Sequence, residues 1–247
     1  MTAAMVADSV TGIDADDLRR RVLYRDAQIL VIDKPAGIPV HAGPKGGANL
    51  EDLFDALRFD LKNNPGLGHR LDRDTSGCLV LGRHAKALRR LGRLFSAGAV
   101  EKIYWAVVEG QPLEPEGRIA LKLAKRSTAA RGWWMKVAED GIEAITDYRV
   151  LGRGKNRAWL ELRPRTGRTH QIRVHCAASG FPVLGDRVYG ARESTQALHL
   201  HARALALPLY PGRPAIAVSA PVPAHLAQAL AALGFRGEDG LSDPLQR

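Results

Sequence analysis

Two stretches of this sequence hold most of the residues that can do chemistry. The first is GHRLDRDTSG, residues 68–77, in which His69, Arg70, Asp72, Arg73 and Asp74 crowd together just ahead of Thr75, Ser76 and Gly77. A carboxylate beside arginines is held ionised, and an ionised carboxylate can serve as a nucleophile or a base. Spacing alone leaves two readings open, a catalytic turn carried on a rigid scaffold and a solvated, salt-bridged turn. The second stretch is RPRTGRTHQIRVH, residues 163–175, with Arg163, Arg165, Arg168, Arg173 and two histidines, His170 and His175, around Gly167. Arginine presents a planar fork suited to carboxylate and phosphate. Thr169 stands where it can cap a helix, whose N-terminus would add donors for an anion. A solvated basic helix start is the bland alternative, and Ile172 and Val174 weigh against it, because arginines interleaved with apolar residues are partly buried and need partners.

The elements that must position these stretches are legible as patterns. Residues 27–37, AQILVIDKPAG, form a β-branched run stopped by Pro and Gly, which predicts a buried strand and a turn. Residues 49–61 place Leu50, Leu53, Phe54, Leu57 and Leu61 on one helical face, with Asn49 as the cap. Residues 78–83 predict a short strand, 84–98 a basic amphipathic helix closed by Gly98, and 102–110 a strand. GHRLDRDTSG then joins a helix to a strand. Residues 142–151 and 157–164 predict two more strands, 169–180 a helix ending at Gly180, LHLHARAL and AIAVSAP further strands, and 222–235 a last helix. Consecutive strands outnumber helices, so the expected class is α+β with a mixed, largely antiparallel sheet, not a doubly wound parallel one. One domain over 21–236 is expected, between a flexible arm over 1–20 and a flexible tail over 237–247.

Charge narrows the partners. The 247 residues hold 36 Lys and Arg against 26 Asp and Glu, a formal net charge of +10. A basic surface attracts polyanions, and structured nucleic acid and an anionic membrane both fit. The basic segment 122–136 reads either as a solvated loop or as a contact to RNA backbone, with Lys125 and Arg126 as the residues concerned. The two cysteines, Cys78 and Cys176, lie in apolar runs as small core residues, without a disulfide framework. His199 and His201 alternate as on a strand but lack a third ligand, so no metal site is expected. The N-terminus lacks the basic and apolar regions of a signal peptide, and no stretch reaches the length of a membrane span. A reduced, cytosolic setting and a monomer are the expectations, with no membrane partner.

Six segments in order resemble the RluA-type family of RNA pseudouridine synthases. They are residues 23–43 with the K-P-x-G turn, HRLDRDTSG, EKIYWAVVEG at 101–110, RTGRTHQIRVH, VLGDRVYG at 183–190 and LHLHA at 198–202. The resemblance implies the family's mixed sheet with a central RNA-binding cleft. It makes Asp72 the catalytic carboxylate, Arg168 its partner, and Tyr104 the aromatic against the target base. It makes Arg70 the side chain that enters the RNA stack. His69, Thr75, Lys102, Arg165, His170 and Arg173 follow as further substrate contacts at matched positions. The K-P-x-G segment begins so early that an N-terminal S4 domain is not expected, and RNA affinity would rest on the catalytic domain.

The implied reaction breaks the bond from ribose C1′ to uracil N1 and remakes it to C5. It has no net redox change and transfers no external group, so no cofactor is expected. Two rival classes are a non-catalytic RNA-binding assembly factor on the same scaffold and a nucleoside hydrolase. The first leaves the coincidence of Asp72, Tyr104 and Arg168 unexplained. The second usually needs two converging carboxylates, and Asp74 is only two residues from Asp72.

Overall fold

Runs of alternating and β-branched residues decide the architecture, which a computed structural model describes for residues 9–10, 12–43, 46–129, 132–237 and 245. The chain forms two compact units, Met1–Val100 with Ala204–Pro221, and Glu101–Arg203 with Val222–Arg247. A single domain over 21–236 was the expectation. The arm and tail expected at the ends lie outside the described residues for 1–8 and for most of 238–247.

In the first unit, β1 (Ser9–Val10) pairs antiparallel with β2 (Ile13–Asp14), which leads into α1 (Ala15–Arg20). The expected arm is therefore folded here. Asp14 accepts the Asp17 N–H at 2.7 Å as an N-cap, and Leu18 is fully buried, so local capping and one apolar anchor hold the segment. β3 (Val22–Arg25) pairs antiparallel with β4 (Ile29–Lys34). Residues Leu50–Leu57 form a 3-10 helix, tighter and shorter than the helix expected, and Asn49 caps it as the sequence indicates. Two-residue β5 (Gly66–Leu67) and β4 both pair antiparallel with β6 (Ser76–Gly82), all of whose residues are buried. α2 (Ala85–Ser96) packs on β6 through Ala87 and Leu91.

The second unit is built on an antiparallel sheet of β7 (Glu101–Glu109), β8 (Glu116–Thr128), β9 (Gly132–Val137), β10 (Ile142–Arg153) and β11 (Arg157–Pro164), in the order β7-β11-β10-β8-β9. The basic segment 122–136 is thus the hairpin of β8 and β9, not a loop. α3 (Gln171–Ala178) lies on this sheet, with Ile172 and Cys176 in a core shared with Ala106, Val108, Leu160, Leu162 and Phe181. Burial pushes the Cys176 thiol up to about 12 and leaves it an inert core residue. β12 (Leu200–Leu207) starts in this unit and ends in the first, where Ala204 to Leu207 pair antiparallel with β13 (Ile216–Ser219). α4 (Ala224–Ala231) buries Leu226 and Leu230. Antiparallel pairing with flanking helices gives the α+β class that the run of consecutive strands predicts.

Candidate active site

The loop bearing Asp72 hangs between β5 and β6, and three fastenings fix its path. At its start, Gly68 N–H donates to Val80 O at 2.9 Å, an approach so close that a Cβ on Gly68 would lie 2.9 Å from that oxygen. Beyond this point the backbone leaves the ladder, and the His69 side chain takes its place, Nε2 accepting the Val80 N–H at 3.0 Å. The same imidazole stacks on Phe95 of α2 with ring centroids 4.5 Å apart. In the middle, Leu71 is 7% exposed and anchors the loop between exposed Arg70 and half-buried Asp72. At its end, Arg73 and Gly37 exchange two hydrogen bonds of 3.0 Å, Gly37 N–H to Arg73 O and Arg73 Nε to Gly37 O. Gly37 has φ +89°, the left-handed conformation that this turn requires and glycine supplies.

Lys34, which the sequence reading does not single out, adds a fourth fastening. It is fully buried at the end of β4, and its Nζ donates to Pro35 O at 2.7 Å and to Arg73 O and Thr75 O at 2.9 Å. An ammonium has three protons, and here three carbonyls accept them. Burial pushes the group down to about 7, against the opposing charges of Asp74, Asp72 and Asp33. A lysine closing a β-branched apolar run was the available signal.

In the second unit the arginine stretch folds as a loop ahead of α3, organised by one buried glutamine. Gln171 is 4% exposed; its Oε1 accepts from Thr166 Oγ1 at 2.6 Å and Arg168 N–H at 3.0 Å, and its Nε2 donates to Ile145 O and Thr146 Oγ1. Thr169 does not cap the helix. His170 occupies the cap position with φ 52° and no side-chain cap bond. Arg168 is exposed, with Nε donating to Glu143 O at 3.3 Å. Lys102 and Tyr104 share one face of β7 by the two-residue period. Lys102 Nζ donates to Thr166 O at 3.3 Å, and burial lowers its pKa. Tyr104, half-buried, packs against the core of this unit. The structure therefore brings Lys102 to the Arg168 loop.

Several expected RNA contacts are instead supports. His69 is committed to Val80 and Phe95. Thr75 is 2% exposed, with its backbone O on Lys34. Arg173 is 6% exposed and forms a fork on Asp186, with Nε to Oδ2 at 2.8 Å and a second bond at 2.9 Å. Burial alone would raise the Asp186 carboxyl, but Arg173 and the N–H groups of Val188 and Tyr189 hold it below its usual value. Asp186→Asn is expected to cost about 3–5 kcal/mol of stability by breaking this pair. Urea unfolding checks it, and a loss under about 1 kcal/mol would remove the pair from the fold's supports.

The remaining cations stay near solvent. Arg70 lies 3.4 Å from His41 Nε2 and is exposed. Arg165 is exposed and shares the Asp147 carboxylate with Arg118. On the hairpin, Lys125 is exposed, while Arg126 pairs with Asp140 at 2.5 Å. That pair is open to water on both sides and is exchangeable for a phosphate at little cost.

Comparison with known proteins matches residues 28–178 to the RNA pseudouridylate synthase family. An uncharacterised RNA pseudouridine synthase of Zymomonas mobilis is 43% identical over 221 residues, covering 88% of this chain and 99% of that protein. The ribosomal large subunit pseudouridine synthase D of Xanthomonas campestris is 37% identical over 260 residues, covering 93% of this chain and 74% of that protein. Among solved structures, human RNA pseudouridylate synthase domain containing 4 superposes with a TM-score of 0.75 at 28% identity, covering 89% of this chain and 95% of that one.

Proposed function

This chain belongs to the RNA pseudouridylate synthase family, isomerases that act on RNA, and on that premise we propose that Asp72 is its catalytic carboxylate and large-subunit ribosomal RNA its substrate. The observation that supports Asp72 is its loop. A half-buried carboxylate stands on a turn fastened through Gly68, His69, Leu71, Arg73 and a fully buried lysine. Such fixation serves a group that must meet a reacting atom in one geometry. Ribosomal RNA is favoured over tRNA by the relative named for the large ribosomal subunit.

The chemistry needs few parts. The target uridine leaves its stack, at a cost of about a few kcal/mol. Asp72 acts as nucleophile or base while the C1′–N1 bond breaks. The uracil turns, C5 bonds to C1′, the C5 proton is lost to solvent and N1 takes one up. Tyr104 is the aromatic face for the freed base, Arg168 the guanidinium partner that orients the carboxylate, and Arg70 the side chain that fills the vacated stack. The direct test supplies purified protein with transcribed large-subunit RNA and no added cofactor, and maps new pseudouridine with carbodiimide. Absence of conversion there, with conversion of tRNA, would overturn the ribosomal assignment. Activity that disappears on chelation and returns with a metal would overturn the cofactor-free reading.

Two variants test the basic residues. Arg168→Lys is expected to lose most turnover although the charge is kept, since an ammonium cannot reproduce a fork on a carboxylate. Near-normal kcat would remove Arg168 from the site. Lys125→Ala with Arg126→Ala is expected to weaken RNA binding and to reduce the slope of log affinity against log salt by about one unit per lost phosphate contact. An unchanged slope would make the hairpin a solvated surface.

A further inference from the structure

Trp133 stands at the tip end of β9, 47% exposed, where a core residue would be out of place. The β8–β9 register sets Ser127 opposite Trp133, Lys125 opposite Met135 and Leu123 opposite Val137, so these side chains share one face. Leu123 and Met135 are buried with Val174 of α3, and Val137 packs on them. The indole continues this row past the core. It is nonetheless held, not loose. The His170 ring lies 5.1 Å from it at an interplanar angle of 32°. His170 Nδ1 is 2.8 Å from the Tyr189 hydroxyl, which accepts the Met135 N–H at 3.0 Å. Behind Tyr189 lies the Arg173 guanidinium, 5.2 Å from the ring and immobilised by Asp186. A chain of supports thus runs from a buried ion pair to an aromatic face at the surface.

That ring also carries a cation. Lys125 Nζ lies over the indole, 5.0 Å from its centroid, and exposed Arg168 is two residues before His170. A preorganised aromatic ring covered by the ammonium of an exposed lysine suits a nucleobase with its phosphate, since every base offers a π-face and each nucleotide one anion. We propose that Trp133, backed by His170 and covered by the Lys125 ammonium, is a stacking subsite for an unpaired nucleobase of the RNA other than the target uridine. A base that docks there displaces the Lys125 ammonium toward the adjoining phosphate. This rests on the RNA-modifying reading above and adds to it a contact that involves the base itself, where the hairpin cations are expected to meet only backbone.

The test compares two single-stranded probes on the full chain, an eight-nucleotide oligouridylate and a chain of equal length with abasic riboses. Wild-type protein is expected to bind the oligouridylate more tightly. Trp133→Ala is expected to weaken that binding about tenfold and leave the abasic probe unchanged, while Trp133→Phe stays within about threefold of wild type. Melting curves on each variant exclude a folding defect. Equal loss on both probes, no loss on either, or a wild type that does not distinguish the probes overturns the subsite. So does a wild-type dimer in sedimentation that Trp133→Ala dissolves, because the face would then belong to a second copy of the chain. Binding is read without turnover, so failure here is separate from failure of Asp72 as the catalyst.

Discussion

Asp72→Asn protein is expected to fold, to bind RNA, and to release no tritium from RNA labelled at uridine C5. The substitution keeps the shape of the side chain and removes its charge. Affinity should survive because it rests on phosphate contacts spread over a surface with net charge +10. Loss of one anion beside exposed Arg70 and Arg73 can only favour a polyanion. A structural role for Asp72 makes a different prediction. Its backbone O accepts the Thr75 N–H at 3.2 Å, a bond the substitution leaves intact, so the loop's main-chain fastenings persist. If the carboxylate mattered only to the fold, activity would fall in proportion to folded protein, and the melting temperature would fall with it. Tritium release, RNA affinity and a melting curve on one preparation separate the cases. Appreciable release from a folded Asp72→Asn protein would refute the assignment.

Much of this was legible in the sequence because the period of the apolar residues survives folding. The strands at β4, β6, β7, β10 and β11 and the Asn49 cap stand close to where the pattern places them. The hairpin was not legible, because β8 and β9 put their apolar residues, Leu123 and Met135, against α3 and spread charge over the rest, which reads as a polar loop. Site residues divide by a similar logic. Motif resemblance marks which positions matter but not what each touches. His69 and Arg173 are polar residues in motifs, and only the fold reveals that one replaces a missing strand partner and the other is paired with Asp186, thirteen residues on. Lys34 was passed over for the opposite reason, since it sits in a run that reads as buried strand and needs carbonyls from a loop some forty residues away.

That lysine carries the second large effect. Lys34→Met keeps the length of the side chain and removes all three donors, taking the ammonium from Pro35 O and Thr75 O and leaving Arg73 O with the Gly37 N–H, where β4 meets the Asp72 loop. Each buried carbonyl left unpaired costs about 1–3 kcal/mol, while removal of a buried charge offsets part of the sum, so a net loss of about 2 kcal/mol or more is expected at pH 7. Turnover should fall about a hundredfold, the order expected when a reacting group moves by about 1 Å. RNA affinity should change little. The pH dependence has a definite sign. Folding lowers the Lys34 pKa from 10.5 to about 7, so between those values the unfolded chain holds a proton that the folded chain has lost. Stability of the wild type therefore rises with pH across that window, by at most about 1.4 kcal/mol per unit, and the penalty of the buried charge is fully present below it. Lys34→Met has no such group, so the stability gap between wild type and variant should widen from pH 7 toward pH 10. Urea unfolding of both proteins at several pH values measures that gap. A gap that narrows as pH rises would mean that the three carbonyls hold the proton against burial. A gap absent at every pH would mean that Lys34 does not fasten the Asp72 loop.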